Sequence, residues 1–120
     1  MRVILIASLV GLSLPAHGQD LGRCARKDTT VAIVDCLNRE RATWDKRLNA
    51  SCQVSLKRAG SPKVRRAMVE DKRDWIRWRD KRCKEAAQGD GSLVQIEVAG
   101  CFMEQTRNRV IEIEEDLGTP

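Results

Sequence analysis

The chain has 120 residues, with 22 Lys+Arg against 17 Asp+Glu, five Cys, one His and no Tyr. That is one domain's worth of chain, which excludes an enzyme with a separate cofactor domain. The formal charge of +5 and the five cysteines raise two questions: which anions the protein meets, and whether its cysteines serve disulfides or metal.

Residues 1–18 read as a secretory signal peptide. Arg2 supplies the positive start, Val3 to Leu14 an apolar run, and Pro15-Ala16-His17-Gly18 the small residues before a cut near Gly18/Gln19. An apolar run of 12 residues reaches only about 18 Å, short of the ~30 Å hydrocarbon core of a membrane. No lipid anchor is signalled, because Arg23 precedes Cys24 where a small residue is needed. The mature domain is then 19–120, periplasmic or secreted and not membrane-spanning. Cleavage takes Arg2 and His17 with it, so the charge falls from +5 to +4 and no histidine remains.

The rest of the chain shows helical periodicity and no strand alternation. The first helix is expected over about 30–58, capped by Thr29 or Thr30. Its face carries Ile33, Leu37, Arg41, Trp44, Leu48, Cys52 and Leu56, and Gly60 stops it. Ser61-Pro62 opens a second helix over about 62–87, with Val64, Met68, Trp75, Trp78, Arg79, Cys83 and Ala86 on one face. Gln88 to Gly91 breaks it. Ser92 is expected to cap a third helix over about 93–117, whose face is Val94, Val98, Cys101, Phe102, Val110, Ile113 and Leu117. Short turns between the helices imply an all-α, three-helix up-down-up bundle.

Geometry narrows the cysteine pairing. Cys36 and Cys52 lie about 24 Å apart along one helix, well beyond the ~7 Å Cα separation that a disulfide allows. Cys83 and Cys101 flank the break at Gly89–Gly91 at heights that differ by about 5 Å. Cys24 can fold back onto Cys36 in the opening turns of the first helix. The preferred scheme is therefore Cys24–Cys36 and Cys83–Cys101, two staples worth about 3 kcal/mol each. A rival pair, Cys36–Cys83, stays open, because those two stand level about the first turn. Cys52 is left over. It is read as a buried thiol serving as a small apolar residue, with a redox or intermolecular role as the alternative.

Several spacings then form a pattern: Thr30-x-x-Ile33-x-x-Cys36, Asp45-x-x-Leu48-Asn49, Trp75-Ile76-x-Trp78-Arg79-Asp80-x-x-Cys83, Gly91-Ser92, Cys101, and Thr106-x-x-Arg109. The order resembles the LprI-like family of lysozyme inhibitor domains, from Cys24 to about Leu117. The tryptophan block before Cys83 is its most specific part. The resemblance implies a secreted or envelope-located helical domain that inhibits a lysozyme by protein–protein binding. Two positions depart from the family pattern. Cys52 stands where an aromatic residue is usual, and Lys72 where glutamine is usual.

The signature residues Asp45, Leu48, Asn49, Trp75, Arg79 and Arg109 read as structural. Trp75, Arg79 and Cys83 share one helix face by their spacing, and Asp45 is the expected partner of Arg79. Charge is uneven. From Arg39 to Arg82 there are 15 basic and 6 acidic residues, and from Cys83 onward 3 basic and 8 acidic. Lys57, Arg58, Lys63, Arg65, Arg66, Lys72, Arg73 and Arg77 form a possible basic face for anionic wall or outer-membrane polymers. Nucleic acid is a poor partner outside the cytosol. The missing histidine removes Ser–His and Cys–His nucleophiles and most catalytic zinc sites. No phosphate loop or metal-ligand spacing is visible. The expectation is a non-enzymatic protein without cofactor or metal, a monomer or weak dimer, which binds a lysozyme-type hydrolase or an anionic envelope polymer. Two net-positive proteins repel at long range. A cationic lysozyme would therefore have to be met by Asp90 or by the acidic run Glu112 to Asp116.

Overall fold

A computed structural model describes residues 21–89 and 91–118. The expected signal segment and Asp90 lie outside them. A 3₁₀ turn over Gly22–Arg26 precedes three helices: α1 (Thr30–Arg58), α2 (Pro62–Glu85) and α3 (Ser92–Leu117).

The helix ends follow from local chemistry. Thr29 is extended, and its hydroxyl accepts the Ala32 N–H at 3.1 Å. Ser61 does the same for Val64 at 3.2 Å, and Pro62 sits where its missing N–H has no consequence. α1 stops because Ala59 turns extended, one residue before the expected Gly60. α2 ends at Glu85 rather than 87. There the bonding tightens to i−3, with Ala87 N–H on the Lys84 carbonyl, and the Gln88 amide caps the Glu85 carbonyl at 2.9 Å. At α3 the cap is Gly91, not Ser92. Gly91 has φ +98°, a conformation that side chains resist, and Ser92 is the first helical residue. Gly118 closes α3 in the left-handed conformation.

The three helices run up, down and up, so α1 and α3 lie parallel. They make the main interface. Its core is Cys24, Cys36, Leu37, Ala99 and Met103, with Ile33, Val34, Trp44 and Ile96 packed against it. The parallel arrangement creates an electrostatic problem that α1 solves. The last turn of α3 has no basic residue, yet Glu114, Glu115 and Asp116 crowd the negative end of its dipole. From α1, Arg47 forks onto both oxygens of Glu114 at 2.6 Å, and Arg58 donates to the Leu117 carbonyl at 2.8 Å.

The antiparallel α2 meets α3 over a shorter stretch, and its backbone keeps away from α1. The Cys83–Cys101 disulfide joins it to α3, and Cys24–Cys36 joins the 3₁₀ turn to α1. Cα atoms are 5.5 Å apart in each. The rival Cys36–Cys83 pair does not form. Aromatic side chains are few, and arginines attend all of them. Guanidinium groups stand against Trp44 (Arg47), Trp75 (Arg79 and Arg109), Trp78 (Arg82) and Phe102 (Arg41 and Arg79), at 4.3–5.8 Å from the ring centres. Stacked guanidinium and ring surfaces thus replace part of the aliphatic core that a chain this charged cannot supply.

Candidate functional site

Where α2 stands off α1, a groove of about 750 Å³ opens. Its walls are the second half of α1, the first half of α2 and the last turns of α3. Leu48, Cys52, Leu56, Val64, Met68, Trp75, Ile76, Ile113 and Leu117 supply apolar surface. Arg58, Asp71, Lys72, Arg73, Arg109, Glu112 and Asp116 stand along it.

The signature residues build the wall behind this groove. Arg79 is buried at 7% exposure. Its Nη1 lies 3.6 Å from Asp45 Oδ1 and donates to the Thr106 hydroxyl at 3.2 Å. Its Nε and Nη2 donate to Asp80 at 3.1 and 3.0 Å. Asp80 is the nearer carboxylate, and periodicity alone does not reveal it. Adjacent helical residues point about 100° apart, and only the reach of a long side chain brings them together. Thr106 is fully buried, and its hydroxyl donates to the Phe102 carbonyl at 2.7 Å while accepting from Arg79.

Arg41 completes this cluster. It lies over Phe102 at 4.3 Å, and its Nε is 3.6 Å from Asp45 Oδ2, too far for a hydrogen bond. That buried Nε has no hydrogen-bond partner among the described residues. Arg109 bridges Asp71 at 2.8 Å and Glu112 at 3.3 Å, so it ties α2 to α3 beside Trp75. Leu48 is buried at 4% exposure, and Asn49 accepts from Lys72 Nζ at 2.8 Å.

Both departures from the family pattern line the groove. Cys52 is half-buried on its wall rather than enclosed, because α2 does not close over it. Lys72 crosses to Asn49 on α1.

The eight candidate basic residues occupy different settings. Lys57, Lys63, Arg65 and Arg66 are exposed around the α1–α2 turn and have no ion-pair partner among the described residues. Arg73 lines the groove, Arg58 and Lys72 bond neutral oxygens, and Arg77 pairs with Asp74 at 2.5 Å. At the acidic end, Glu115 and Asp116 are exposed. Glu114 is largely covered, and its hydrogen bonds from Arg47 hold its carboxyl below the ordinary range. The same contact raises Arg47. Among the described residues no cluster of three metal-ligating side chains occurs, and no helix is long and apolar enough to cross a membrane.

No curated protein and no solved structure is detectably similar to the chain. A family model described as Lysozyme inhibitor LprI matches residues 23–113, a span that takes in both disulfides, the arginine cluster and most of the groove. The chain belongs to the Lysozyme inhibitor LprI family.

Proposed function

We propose that the protein is an extracytoplasmic, non-enzymatic inhibitor that binds a lysozyme-type hydrolase and covers its substrate cleft. The family match over residues 23–113 carries this reading. The two disulfides support an oxidising compartment, as does the signal-like segment 1–18 with its cut near Gly18/Gln19. The mature protein is then 19–120, acting as a monomer or weak dimer. Against a cationic hydrolase, the complementary surface is the exposed acidic end of α3, Glu115 and Asp116, beside the groove.

The test is a lysis assay of cell-wall suspensions with several lysozyme types and the disulfide-bonded protein at micromolar concentrations. Slowed lysis, relieved by Glu115→Lys/Asp116→Lys, supports the reading. Unchanged lysis with every type defeats it.

A second reading rests on Lys57, Lys63, Arg65 and Arg66, which have no carboxylate partner among the described residues. They suit docking on anionic wall or outer-membrane polymer. Such binding weakens steeply with salt, so retention on lipopolysaccharide that ignores salt would count against it.

A further inference from the structure

The groove is apolar on its floor and carries charge of both signs, with cations in slight excess, along its mouth. Leu48, Leu56, Met68, Ile76 and Ile113 line it. Two of its carboxylates, Asp71 and Glu112, share Arg109, which offsets one of their two charges. Its other cations are not matched in this way. Arg58 donates to a backbone carbonyl and Lys72 to an amide oxygen, and Arg73 has no ion-pair partner among the described residues. Asp116 is the remaining acid on the rim. The rim thus carries four cations against three carboxylates, a net charge of +1, with Arg58, Lys72 and Arg73 outside any ion pair among the described residues. An apolar slot with that balance complements a molecule that is apolar for most of its length and anionic at one end.

We infer that this groove binds a single-chain fatty carboxylate. The chain lies along α2 from Val64 toward Lys72 and Arg73, which face the head group. Size supports a single chain. By helix rise, Val64 and Arg73 are about 14 Å apart, close to the roughly 15 Å of one acyl chain, which spans about half of the ~30 Å bilayer core. The volume of about 750 Å³ falls within the range of small-molecule sites, roughly 300–1,000 Å³. Cys52, small and half-buried, leaves the floor open where a larger side chain would fill it. The inference does not depend on hydrolase inhibition.

Two side chains on the wall report occupancy. The disulfide-bonded protein is titrated with palmitate below its micelle concentration, with tryptophan emission and the rate of Cys52 alkylation by a maleimide as readouts. Bound palmitate is expected to shift the emission and to slow alkylation by roughly tenfold or more at saturation, because access limits thiol reactivity. Affinity is expected to rise by on the order of tenfold for each pair of methylenes from decanoate upward. A trimethylammonium of equal chain length is expected to bind roughly tenfold more weakly, and Lys72→Gln/Arg73→Gln is expected to erase that preference. Cys52→Phe, followed by emission alone, is expected to lose binding because its ring occupies the slot.

Equal binding of the cationic chain, or no dependence on chain length, overturns the inference. So does unchanged Cys52 reactivity at saturating palmitate. A response to phosphatidylglycerol vesicles, with Cys52 alkylated by the maleimide as fast in the presence of palmitate as without it, is surface adsorption, and it also overturns the inference.

Discussion

The buried guanidinium of Arg79 reaches 3.6 Å from Asp45 across the gap between α2 and α1. Its stronger hold is on Asp80, its own neighbour, at 3.0 Å. Arg79 therefore spends its planar fork on one helix and its remaining nitrogen on the other two.

A lysine at this place keeps the charge and loses the fork. Arg79→Lys is expected to destabilise by about 1–2 kcal/mol. In a domain of this size, each kcal/mol lowers Tm by about 4–8 °C. Asp45 is 41% exposed, so Asp45→Asn is expected to cost less than about 1 kcal/mol. Thermal denaturation followed by circular dichroism measures both. Equal losses would mean that Asp45, not Asp80, is the main partner.

Removing Cys83–Cys101 acts on the helix with the least packing. Cys83→Ser/Cys101→Ser is expected to cost about 3 kcal/mol and to leave α2 the least protected segment in hydrogen exchange. Cys24→Ser/Cys36→Ser is expected to loosen residues 21–29 while α2 keeps its protection. If exchange of α2 were the same in both double variants, the bridge would not be what holds it.

Glu114 makes the α1–α3 interface acid-sensitive. Its carboxyl is held low by the Arg47 hydrogen bonds. A carboxyl depressed in the folded state contributes its full stability above the unfolded value, ordinarily about 4.3. The contribution fades as pH falls below that value toward the lower folded one. Glu114→Gln is expected to lower Tm at pH 7 and to flatten the fall in Tm between neutral and acidic pH. Parallel Tm–pH curves for the two proteins would show that the pair does not drive acid unfolding.

Cys52 is the remaining lever on stability. Its thiol is expected to react with a maleimide in the native protein without prior unfolding. Cys52→Phe is expected to raise stability by on the order of 1 kcal/mol, as the ring buries against Met68 and Trp75. A lowered Tm would mean that the groove wall cannot take the ring.

Much of this architecture is legible in the residues. Thr29, Ser61 and Pro62 mark helix starts because capping is local chemistry, and all three act as expected. Helix rise and the turn at Gly89–Gly91 favour Cys83–Cys101 and the nearness of Cys24 favours Cys24–Cys36, but the level pair Cys36–Cys83 is decided only by the fold, which keeps α2 off α1. The misses have physical causes. Ser92 yields its place to Gly91 because the chain reversal there needs positive φ, which outweighs a hydroxyl cap. The groove is invisible to periodicity. The apolar face of α2 from Val64 to Ile76 looks like any core-facing stripe, and only the tertiary arrangement leaves it uncovered. Asp80 and Thr106 escape notice because their link to Arg79 depends on side-chain reach.

Both ends of α2 are tethered, by a turn of three residues at Pro62 and by a covalent bond at Cys83. Its distance from α1 is thus imposed by its attachments, and close packing of the two helices does not set it. A strut fixed in this way lets side chains along its inner edge change without the fold having to re-form around them. Lys72 lies on that edge, and Cys52 lines the same groove from α1.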